Sequence, residues 1–485
     1  MEYHSPPMRH LATYMVAVAL LTSVSQASQS VKGTVTHYRS PTGTQEECVA
    51  LAPIPGGSYS NQDRDDERSF CAIDLHAPSE ALCPKTWSTS AGTLAYDIST
   101  GTYANDPARF EREVCPRGGS ARKEATRELA KYKQTINTPD SSATFSTASL
   151  LYYHLARYFD TTVNVPVTVY RSMDKDAHLA RVTELGSRLT ADKSSLKMIH
   201  AGWTALQEAE RNPESYRPTD ELFTPDRKKI YGILILAGGE RYNAEINGTR
   251  ESGWGSGQNR DFQHTAPYLA LQSSKPFTEA IREGVEEAKM NPRLARDMGP
   301  EVLDEQMVFW MKELTEITLL DFIFSQQDRI GNIDYRLAWY WNDDGQVRSQ
   351  AAHGKEPPEP STGHSPILLK RTWINDNDAG GRAAYVDFAE KTEMLEKIRH
   401  FNADTYRRLL ALDQDFSDAG PLYSYFRDTF GLSQRQLGLI VRHTAHAAAI
   451  LRETCRAGEL RFDLEPEAFL IAGSVAEKPI DCNAP

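Results

Sequence analysis

Hydrophobic and polar positions follow two different periods along the chain, and each period predicts one kind of element. In 147–159 (TASLLYYHLARYF) the apolar side chains recur at i, i+4 spacing, which predicts an amphipathic helix. The segment 302–324 is apolar around most of its circumference and predicts a helix deep in a core. Short β-type runs predict strands at 92–98, 130–136, 163–170 and 231–236.

The other segments are more polar and predict helices, turns and one hairpin. Helical patterns occupy 121–129, 172–225 and 387–456. The hairpin is predicted from strand 335–341, turn 342–345 and strand 367–374. In the turn-rich stretch 237–262, Gly253, Gly255 and Gly257 fit a surface loop better than a phosphate-binding loop, because no strand-to-helix context surrounds them. The composition of 352–366 is typical of a loop without fixed structure.

The first 30 residues have the three parts of an export signal. Arg9 gives a basic start, an apolar run follows from Leu11 to Val24, and cleavage is expected after Ala27. A buried N-terminal helix is the alternative. The apolar run is too short to span a membrane comfortably, and no other window approaches the length of a transmembrane helix. We therefore expect no stable membrane span, and a protein that is secreted or resides in a secretory-pathway lumen or a periplasm.

The six cysteines agree with an oxidising compartment. They form an N-terminal group and a C-terminal pair: Cys48, Cys71, Cys83 and Cys115, then Cys455 and Cys482. No CxxC pair or zinc-like Cys/His spacing occurs, so disulfides are favoured over metal binding. The clustering predicts two bridges within the first four cysteines and one between the last two, with buried free thiols as the alternative.

The net charge and the length restrict the partners and the organisation. A formal charge of −12 argues against general nucleic-acid binding, which requires a basic surface to neutralise phosphates. A chain of 485 residues is long for one simple core, which predicts a two-lobed or two-domain body.

The chemically informative pattern is a polar loop after the predicted core helix, followed by the hairpin and an acid–amide cluster. The loop holds Asp328 and Asn332, and the cluster is Asn375–Asp378, followed by glycines. Phosphoryl transfer from ATP requires one carboxylate that orients the attacking hydroxyl, and oxygen ligands that hold Mg²⁺ or Mn²⁺ against the phosphates. A helix cap is the structural alternative for Asp328, and a solvated turn is the alternative for Asn375–Asp378.

The segment 319–329 (LLDFIFSQQDR) resembles the start of the catalytic loop in atypical kinases. These are the secretory-pathway Golgi casein kinase family, the HipA-type kinases and, more distantly, the phosphoinositide lipid kinases. The segment 150–170 is similar to their regulatory helix and the strand after it, and the similarity spans about residues 120–450. It implies an α+β, two-lobed, protein-kinase-like fold with a mostly helical C-terminal lobe and a disulfide-stapled β-rich N-terminal portion.

The resemblance also implies an order of parts. They are a signal peptide at 1–27, the disulfide-stapled portion at 28–120, a kinase-like N-lobe with insertions at 121–300, and a helical C-lobe at 301–485 that holds the catalytic loop and the metal-binding motif.

By the same resemblance, Asp328 is the expected catalytic base. Asp376 or Asp378 is the expected metal carboxylate, and the sequence leaves the choice between them open. Asn332 is the expected metal amide, although it lies four residues after Asp328 where these families have five.

The lysine that orients ATP is expected to be Lys133 or, as second choice, Lys131. The helix 147–159 contains no Glu to pair with it, so Glu128 and Glu124 are the candidate substitutes.

The implied function is a secreted atypical kinase that transfers the γ-phosphoryl group of ATP to an exported protein or glycan hydroxyl, with Mg²⁺ or Mn²⁺. The alternative is a secreted pseudokinase or extracellular binding module without catalysis. The motif Asn247-Gly248-Thr249 is in addition a glycosylation acceptor pattern.

Overall fold

The computed structural model describes residues 31–191, 197–236, 238–352, 356–358 and 365–484. The predicted export signal lies outside the described residues, and so does most of the loop 352–366. The described chain is a mixed α+β structure. Within it, no helix is both long enough and apolar enough to cross a membrane.

Eleven strands are described. They are β1 Gly33–Arg39, β2 Gln45–Leu51, β3 Glu80–Pro84, β4 Thr93–Asp97, β5 Arg127–Gln134, β6 Thr168–Asp174, β7 Lys229–Ile235, β8 Glu240–Arg241, β9 Ile333–Asp343, β10 Gln346–Ala351 and β11 Ile367–Ile374.

The described α-helices fall into three groups along the chain. The first group is α1 Asn61–Phe70, α2 Pro107–Glu113, α3 Thr147–Phe159, α4 Lys175–His178, α5 Glu184–Thr190 and α6 Lys197–Arg211. The second is α7 Ala244–Asn247, α8 Ser256–Phe262, α9 Ala266–Gln272, α10 Phe277–Lys289, α11 Pro292–Met298 and α12 Asp304–Phe324. The third is α13 Phe388–Lys391, α14 Ala403–Ser417, α15 Pro421–Thr429, α16 Gln434–Arg456 and α17 Pro466–Ala472.

The larger of the two sheets has seven antiparallel strands in the order β1-β2-β6-β7-β5-β4-β3. The expected boundary at residue 120 falls between strands of this one sheet, since β3 and β4 precede it and β5 follows it. The strand β5 pairs with β4 on one side and β7 on the other, and its second part, Ala130–Gln134, is buried. Lys131 and Lys133 belong to this buried part, whereas Arg127 at the start of β5 is exposed.

The smaller sheet carries the acidic loop at the end of β11. Its order is β10-β9-β11, with the short β8 also paired to β9. The helix α12 precedes β9 and is buried along nearly its whole length, as its apolar circumference predicts. It packs against α9, α16 and β11. The end of α12 and the end of β11 are thereby fixed relative to one another.

Three sequence predictions of local structure need correction. The segment 121–129 is not one helix, because a 3₁₀ segment ends at Lys123 and β5 begins at Arg127. Pairing of Arg127 and Glu128 with β4 outweighs the helical propensity of these charged residues. The strand predicted at 163–170 begins only at Thr168, since Pro166 has no N–H to donate to a ladder. The predicted hairpin is a three-stranded arrangement, because the polar edge strand β10 directly follows the turn.

All six cysteines are in disulfides. The pairs are Cys48–Cys71, Cys83–Cys115 and Cys455–Cys482. This confirms the prediction of two bridges among the first four cysteines and one C-terminal bridge. Disulfides of this kind persist in oxidising compartments.

Candidate functional site

Lys133 joins two distant parts of the chain in a buried cluster of charges. Its side chain is 4% exposed, and its Nζ donates to Oδ1 of Asp378 at 2.5 Å and to Oδ1 of Asp376 at 3.0 Å. Lys131 lies two residues earlier on the same face of β5, with its Nζ 3.6 Å from Oδ1 of Asp376. The structure therefore brings four of the residues predicted from the sequence into one place.

The two lysines of this cluster differ in their electrostatics. Burial alone would lower the pKa of Lys133, but the charges of Asp378 and Asp376 raise that pKa above its ordinary value. Burial and the neighbouring charge of Lys133 lower the pKa of Lys131 to about 7. The charge of Lys133 also holds the pKa of Asp376 well below its usual range. Lys133 is therefore a cation at neutral pH, whereas Lys131 is close to its titration midpoint.

Backbone contacts hold the acidic loop that follows β11. Asp376 has a left-handed backbone with φ of 51°, a conformation that Asp tolerates better than most residues. The carbonyl of Asp378 accepts a hydrogen bond from the N–H of Phe145 at 2.6 Å. The N–H of Gly381 donates to the carbonyl of Phe324 at 2.5 Å, and its φ of +74° favours glycine. The loop is thus tied to the start of α3 and to the end of α12.

Arg329 connects the loop after α12 to the acidic loop. Its guanidinium pairs with Asp321 at 3.0 Å and donates to the carbonyl of Asn375 at 2.8 Å and to Oδ1 of Asn377 at 2.7 Å. The hydroxyl of Tyr152 donates to the same Asp321 at 2.7 Å. Arg329 is 4% exposed, so its guanidinium contacts protein groups and not solvent. These contacts hold the loop after α12 against the acidic loop.

Asp328 lies on the loop between α12 and β9, next to an exposed tryptophan. Its Oδ1 accepts a hydrogen bond from Nε1 of Trp254 at 3.2 Å. Partial burial raises the pKa of Asp328, the bond from Trp254 opposes this rise, and the charges of Asp376 and Asp378 add to it. The three carboxylates therefore share one electrostatic environment.

Asn332 is held by contacts that compete with metal binding. Its Nδ2 donates to the carbonyl of Asp328 at 2.8 Å, and its Oδ1 accepts from Nη1 of Arg241 at 2.8 Å. Arg241 is also paired with Asp334. The positive charge of Arg241 next to this oxygen opposes the approach of a metal cation.

The two aspartates of the acidic loop fit a divalent cation. Mg²⁺ and Mn²⁺ prefer carboxylate oxygens as ligands. Oδ2 of Asp378 is buried, and among the described residues it has no hydrogen-bond partner. The side chain of Asp376 is 38% exposed, so this carboxylate is accessible to an incoming ion. A buried free oxygen beside an accessible carboxylate is a donor set that such a cation can use.

A polar loop between β3 and β4 adjoins the cluster, and the sequence pattern does not predict its part in the site. It spans residues 85–92 (KTWSTSAG) and closes with a hydrogen bond from the N–H of Lys85 to the carbonyl of Gly92 at 2.8 Å. The charge of Lys85 contributes to the low pKa of Asp376. A Cβ built on Gly92 would lie 3.6 Å from Cε of Lys131. The only sequence signal for this loop is its single glycine, Gly92, which is the first residue of the strand predicted at 92–98.

Neither proposed substitute for a Lys–Glu ion pair reaches Lys133. Glu124 pairs with Arg117 at 3.3 Å, and Glu128 lies at the other end of β5. Among the described residues, the carboxylates paired with Lys133 are those of Asp376 and Asp378. The acidic loop therefore takes the place expected for a helical glutamate.

A cavity of about 1200 Å³ lies apart from this cluster. It is bordered by α1, the end of α3 and the start of β5, together with Arg336 and Trp373. Glu128 lines it, but the predicted lysine, catalytic and metal-binding residues do not. The candidate site is therefore defined by its side chains and not by this cavity.

The acceptor pattern at Asn247 is not available for glycosylation. Asn247 is buried, and its Nδ2 donates to the carbonyls of Tyr242 at 2.9 Å and Ile333 at 3.0 Å. Its Oδ1 accepts from the N–H groups of Gly331 at 2.8 Å and Ile333 at 3.2 Å. The motif is used to hold the loop that leads into β9, which corrects the interpretation from the sequence.

Comparisons with known proteins add two distant structural similarities. No protein-family model matches the chain, and a search of curated proteins finds no match. A crystal structure of the Golgi casein kinase has a TM-score of 0.40 and 10% identity, over 84% of this chain and 80% of that chain. A structure of the Golgi casein kinase with Mn/ADP bound has a TM-score of 0.37 and 11% identity, over 81% and 77%. Scores and identities this low carry no argument about function, so the function of this chain has to be inferred from its own side chains.

Proposed function

We propose that the chain is an atypical kinase that transfers the γ-phosphoryl group of ATP to a hydroxyl group. The observation that carries the proposal is the buried Lys133, which bonds Asp376 and Asp378 over 240 residues away in the sequence. In kinases, a strand lysine positions the nucleotide phosphates, and an aspartate in a loop after a hairpin holds the metal. The side chains present here are those that such chemistry uses.

Each group of the cluster has a proposed role. Lys133 orients the phosphates, while Asp378 and Asp376 hold Mg²⁺ or Mn²⁺, which neutralises charge on the transferring phosphoryl group. Asp328 accepts the proton of the attacking hydroxyl, and its raised pKa brings it closer to neutral pH than an exposed aspartate. The backbone of the loop 85–92 covers the phosphates, with Lys85 as a second cation.

The proposal also includes the arrangement of the lobes, the location of the protein and the kind of acceptor. The large sheet with α3 forms one lobe and the helices from α12 onward form the other, with the nucleotide between them. The three disulfides support a secretory-pathway, periplasmic or extracellular location. The acceptor is an exported protein or a glycan, and nucleic acid is not a partner of this acidic chain.

The proposal is tested by substituting the cluster and measuring binding and transfer separately. The variants are Lys133→Met, Asp378→Asn and Asp328→Asn. The matched control is Asp344→Asn, in the β9–β10 turn, where the exposed residue has a φ of 53° that Asn also tolerates. The probes are ATP with MnCl₂, and the acceptors are dephosphorylated casein and a mixed glycosaminoglycan.

We expect ATP with Mn²⁺ to raise the melting temperature of the wild type and the Asp344 control. The Lys133 and Asp378 variants should lose most of this shift. Asp328→Asn should keep the shift but lose label transfer from ATP by at least about 10²-fold, the lower range for a positioned acid–base group. No shift in the wild type would contradict the proposal.

A second candidate function is nucleotide or metal binding without catalysis. One observation in favour is the hydrogen bond from Arg241 to the side-chain oxygen of Asn332, the amide that was expected to bind metal. The other is that, among the described residues, Lys133 pairs with Asp376 and Asp378 and with no Glu. A thermal shift with ATP and Mn²⁺ in the wild type, without any transfer to either acceptor and without loss of ATP, would support this function instead.

A further inference from the structure

Two histidines and two carboxylates lie together beside the C-terminal end of α12. His443 and His446 are three residues apart on α16 and therefore lie on the same face of that helix. Asp387 is the N-cap of α13, and Glu390 is in its first turn. One ligand atom from each of Asp387, Glu390 and His443 lies within 4.8 Å of the others. His446 lies next to Glu390, with its Nδ1 3.2 Å from Oε1 of that residue.

One oxygen of this group is buried and makes no hydrogen bond. Oδ1 of Asp387 accepts from the N–H of Glu390 at 2.9 Å and caps α13. Oδ2 has no hydrogen-bond partner among the described residues, although the Asp387 side chain is only 5% exposed. Its nearest basic atom is Nδ1 of His443 at 3.2 Å, and that nitrogen is also 3.0 Å from the carbonyl of Phe322. A buried carboxylate oxygen without a hydrogen bond needs a charge partner.

The imidazoles are oriented by contacts that metal-binding histidines commonly have. A carbonyl can only accept, so the short contact with Phe322 makes Nδ1 of His443 the N–H donor and leaves the lone pair on Nε2. A histidine that binds a metal usually donates its other ring N–H to a carbonyl or carboxylate. The ring of Phe322 also packs against His446, with centroids 5.4 Å apart.

We propose that Asp387, Glu390, His443 and His446 form a binding site for a zinc-class divalent transition-metal ion. Two imidazoles with two carboxylates suit Zn²⁺ in tetrahedral coordination, whereas Mg²⁺ and Ca²⁺ prefer oxygen ligands alone. The two outer ligands are accessible, since Glu390 and His446 are 42% and 47% exposed. The inference rests on these four side chains and is independent of the proposed kinase function.

The site would connect α16 to the segment that follows the acidic loop. Phe388, directly after Asp387, packs edge-on against Trp254 with ring centroids 5.1 Å apart. Trp254 in turn donates to Asp328 at 3.2 Å. A metal that holds α13 against α16 therefore also holds the tryptophan that contacts Asp328.

The test is zinc titration of the full chain after removal of metal with a chelator. The test variant is His446→Ala with Glu390→Gln, chosen because both side chains are exposed and their loss leaves the core intact. The matched control is His37→Ala with Glu47→Gln, an exposed His–carboxylate pair with 4.0 Å between Nδ1 and Oε1. Asp378→Asn is a second control, which separates this site from the lysine cluster. Circular dichroism checks that each variant is folded.

We expect calorimetry with ZnCl₂ to show one tight site in the wild type and in both controls. The test variant should bind zinc at least about 10-fold more weakly, since even substitution of groups behind the ligands lowers metal affinity by 10–100-fold. Zinc should raise the melting temperature of the wild type more than that of the test variant. Equal zinc affinity in the wild type and the test variant, or no tight site in the wild type, would overturn the proposal.

Discussion

Lys131 and Lys133 show how two residues of one type, on one face of one strand, acquire opposite roles. Lys133 bonds two carboxylates and gains from its charge, while Lys131 is repelled by Lys133 and is only 3.6 Å from a carboxylate that is already paired. The pKa of Lys131 is lowered to about 7, and that of Lys133 is raised above its ordinary value. Their burial is similar, so the difference comes from their partners.

This contrast predicts opposite effects on stability for the two Lys→Met substitutions. An unfolded lysine titrates near 10.4, so the folded state binds fewer protons at Lys131 between pH 7 and about 10.4. The unfavourable contribution of Lys131 is therefore complete below pH 7 and disappears as the pH rises through this interval. We expect Lys131→Met to raise the melting temperature more at pH 6 than at pH 9.

The partner variant provides the control for this prediction. Lys133→Met leaves Asp376 and Asp378 without their cation, so it should lower the melting temperature at both pH values. Melting temperatures of both variants at pH 6 and pH 9 check the prediction. An effect of Lys131→Met that did not change with pH would show that Lys131 does not titrate in this interval.

At the scale of elements, the loop between α12 and β9 depends on one asparagine of α7. Asn247 bonds four backbone groups of neighbouring segments, and two of these are the N–H groups of Gly331 and Ile333, which flank Asn332. These hydrogen bonds hold the loop that carries Asp328 in place.

Asn247→Ala should lower the free energy of unfolding by about 3 kcal/mol, because a buried backbone group left without its partner costs about 1–3 kcal/mol. Urea unfolding measures this, with Asn243→Ala as the matched control. Asn243 is exposed, makes no side-chain cap bond, and should change stability by less than about 0.5 kcal/mol. Thr249→Ala removes the acceptor pattern, and in a host that glycosylates exported proteins its mass should differ from that of the wild type by the substitution alone. A loss of glycan mass would contradict the buried role of Asn247.

The sequence predicts those elements whose stability comes from their own apolar pattern. The helix 147–159 has the predicted bounds, and α12 begins within two residues of its prediction, because each carries a periodic apolar surface. The strand predicted at 163–170 starts too early, since its first residues do not pair in the large sheet; Asn164, between the buried Val163 and Val165, bridges to β11 of the smaller sheet instead. Periodicity predicts burial, but it does not identify the strand with which a segment pairs.

The sequence predicts which residues belong to the candidate site, but it does not predict the contacts between them. The order of Asp328, Asp376 and Asp378 points to one edge of the structure, whereas the burial of Lys133 depends on its contacts with the distant acidic loop. The hydrogen bond from Arg241 to Asn332 could not be predicted, because it depends on the pairing of β8 with β9. Contacts between residues 91 apart in the sequence have no local signal.

At the scale of the whole molecule, two of the three disulfides strengthen regions that differ in their relation to the candidate site. Cys83–Cys115 joins β3, the strand before the loop 85–92, to the 3₁₀ segment that follows α2. Cys455–Cys482 joins the last turn of α16 to the C-terminal segment. The sequence separations are similar, at 32 and 27 residues.

These similar separations predict similar losses of stability when either bridge is removed by a double Cys→Ser substitution. The chain-entropy estimate is about 3–4 kcal/mol for loops of this length. The effects on nucleotide binding should differ, because removal of Cys83–Cys115 loosens the strand before the loop 85–92, which we propose covers the phosphates. We expect that variant to lose more of the thermal shift with ATP and Mn²⁺ than the variant without Cys455–Cys482. Equal losses of this shift would mean that the bridge next to the loop has no special part in binding, and the role proposed for residues 85–92 would then be wrong.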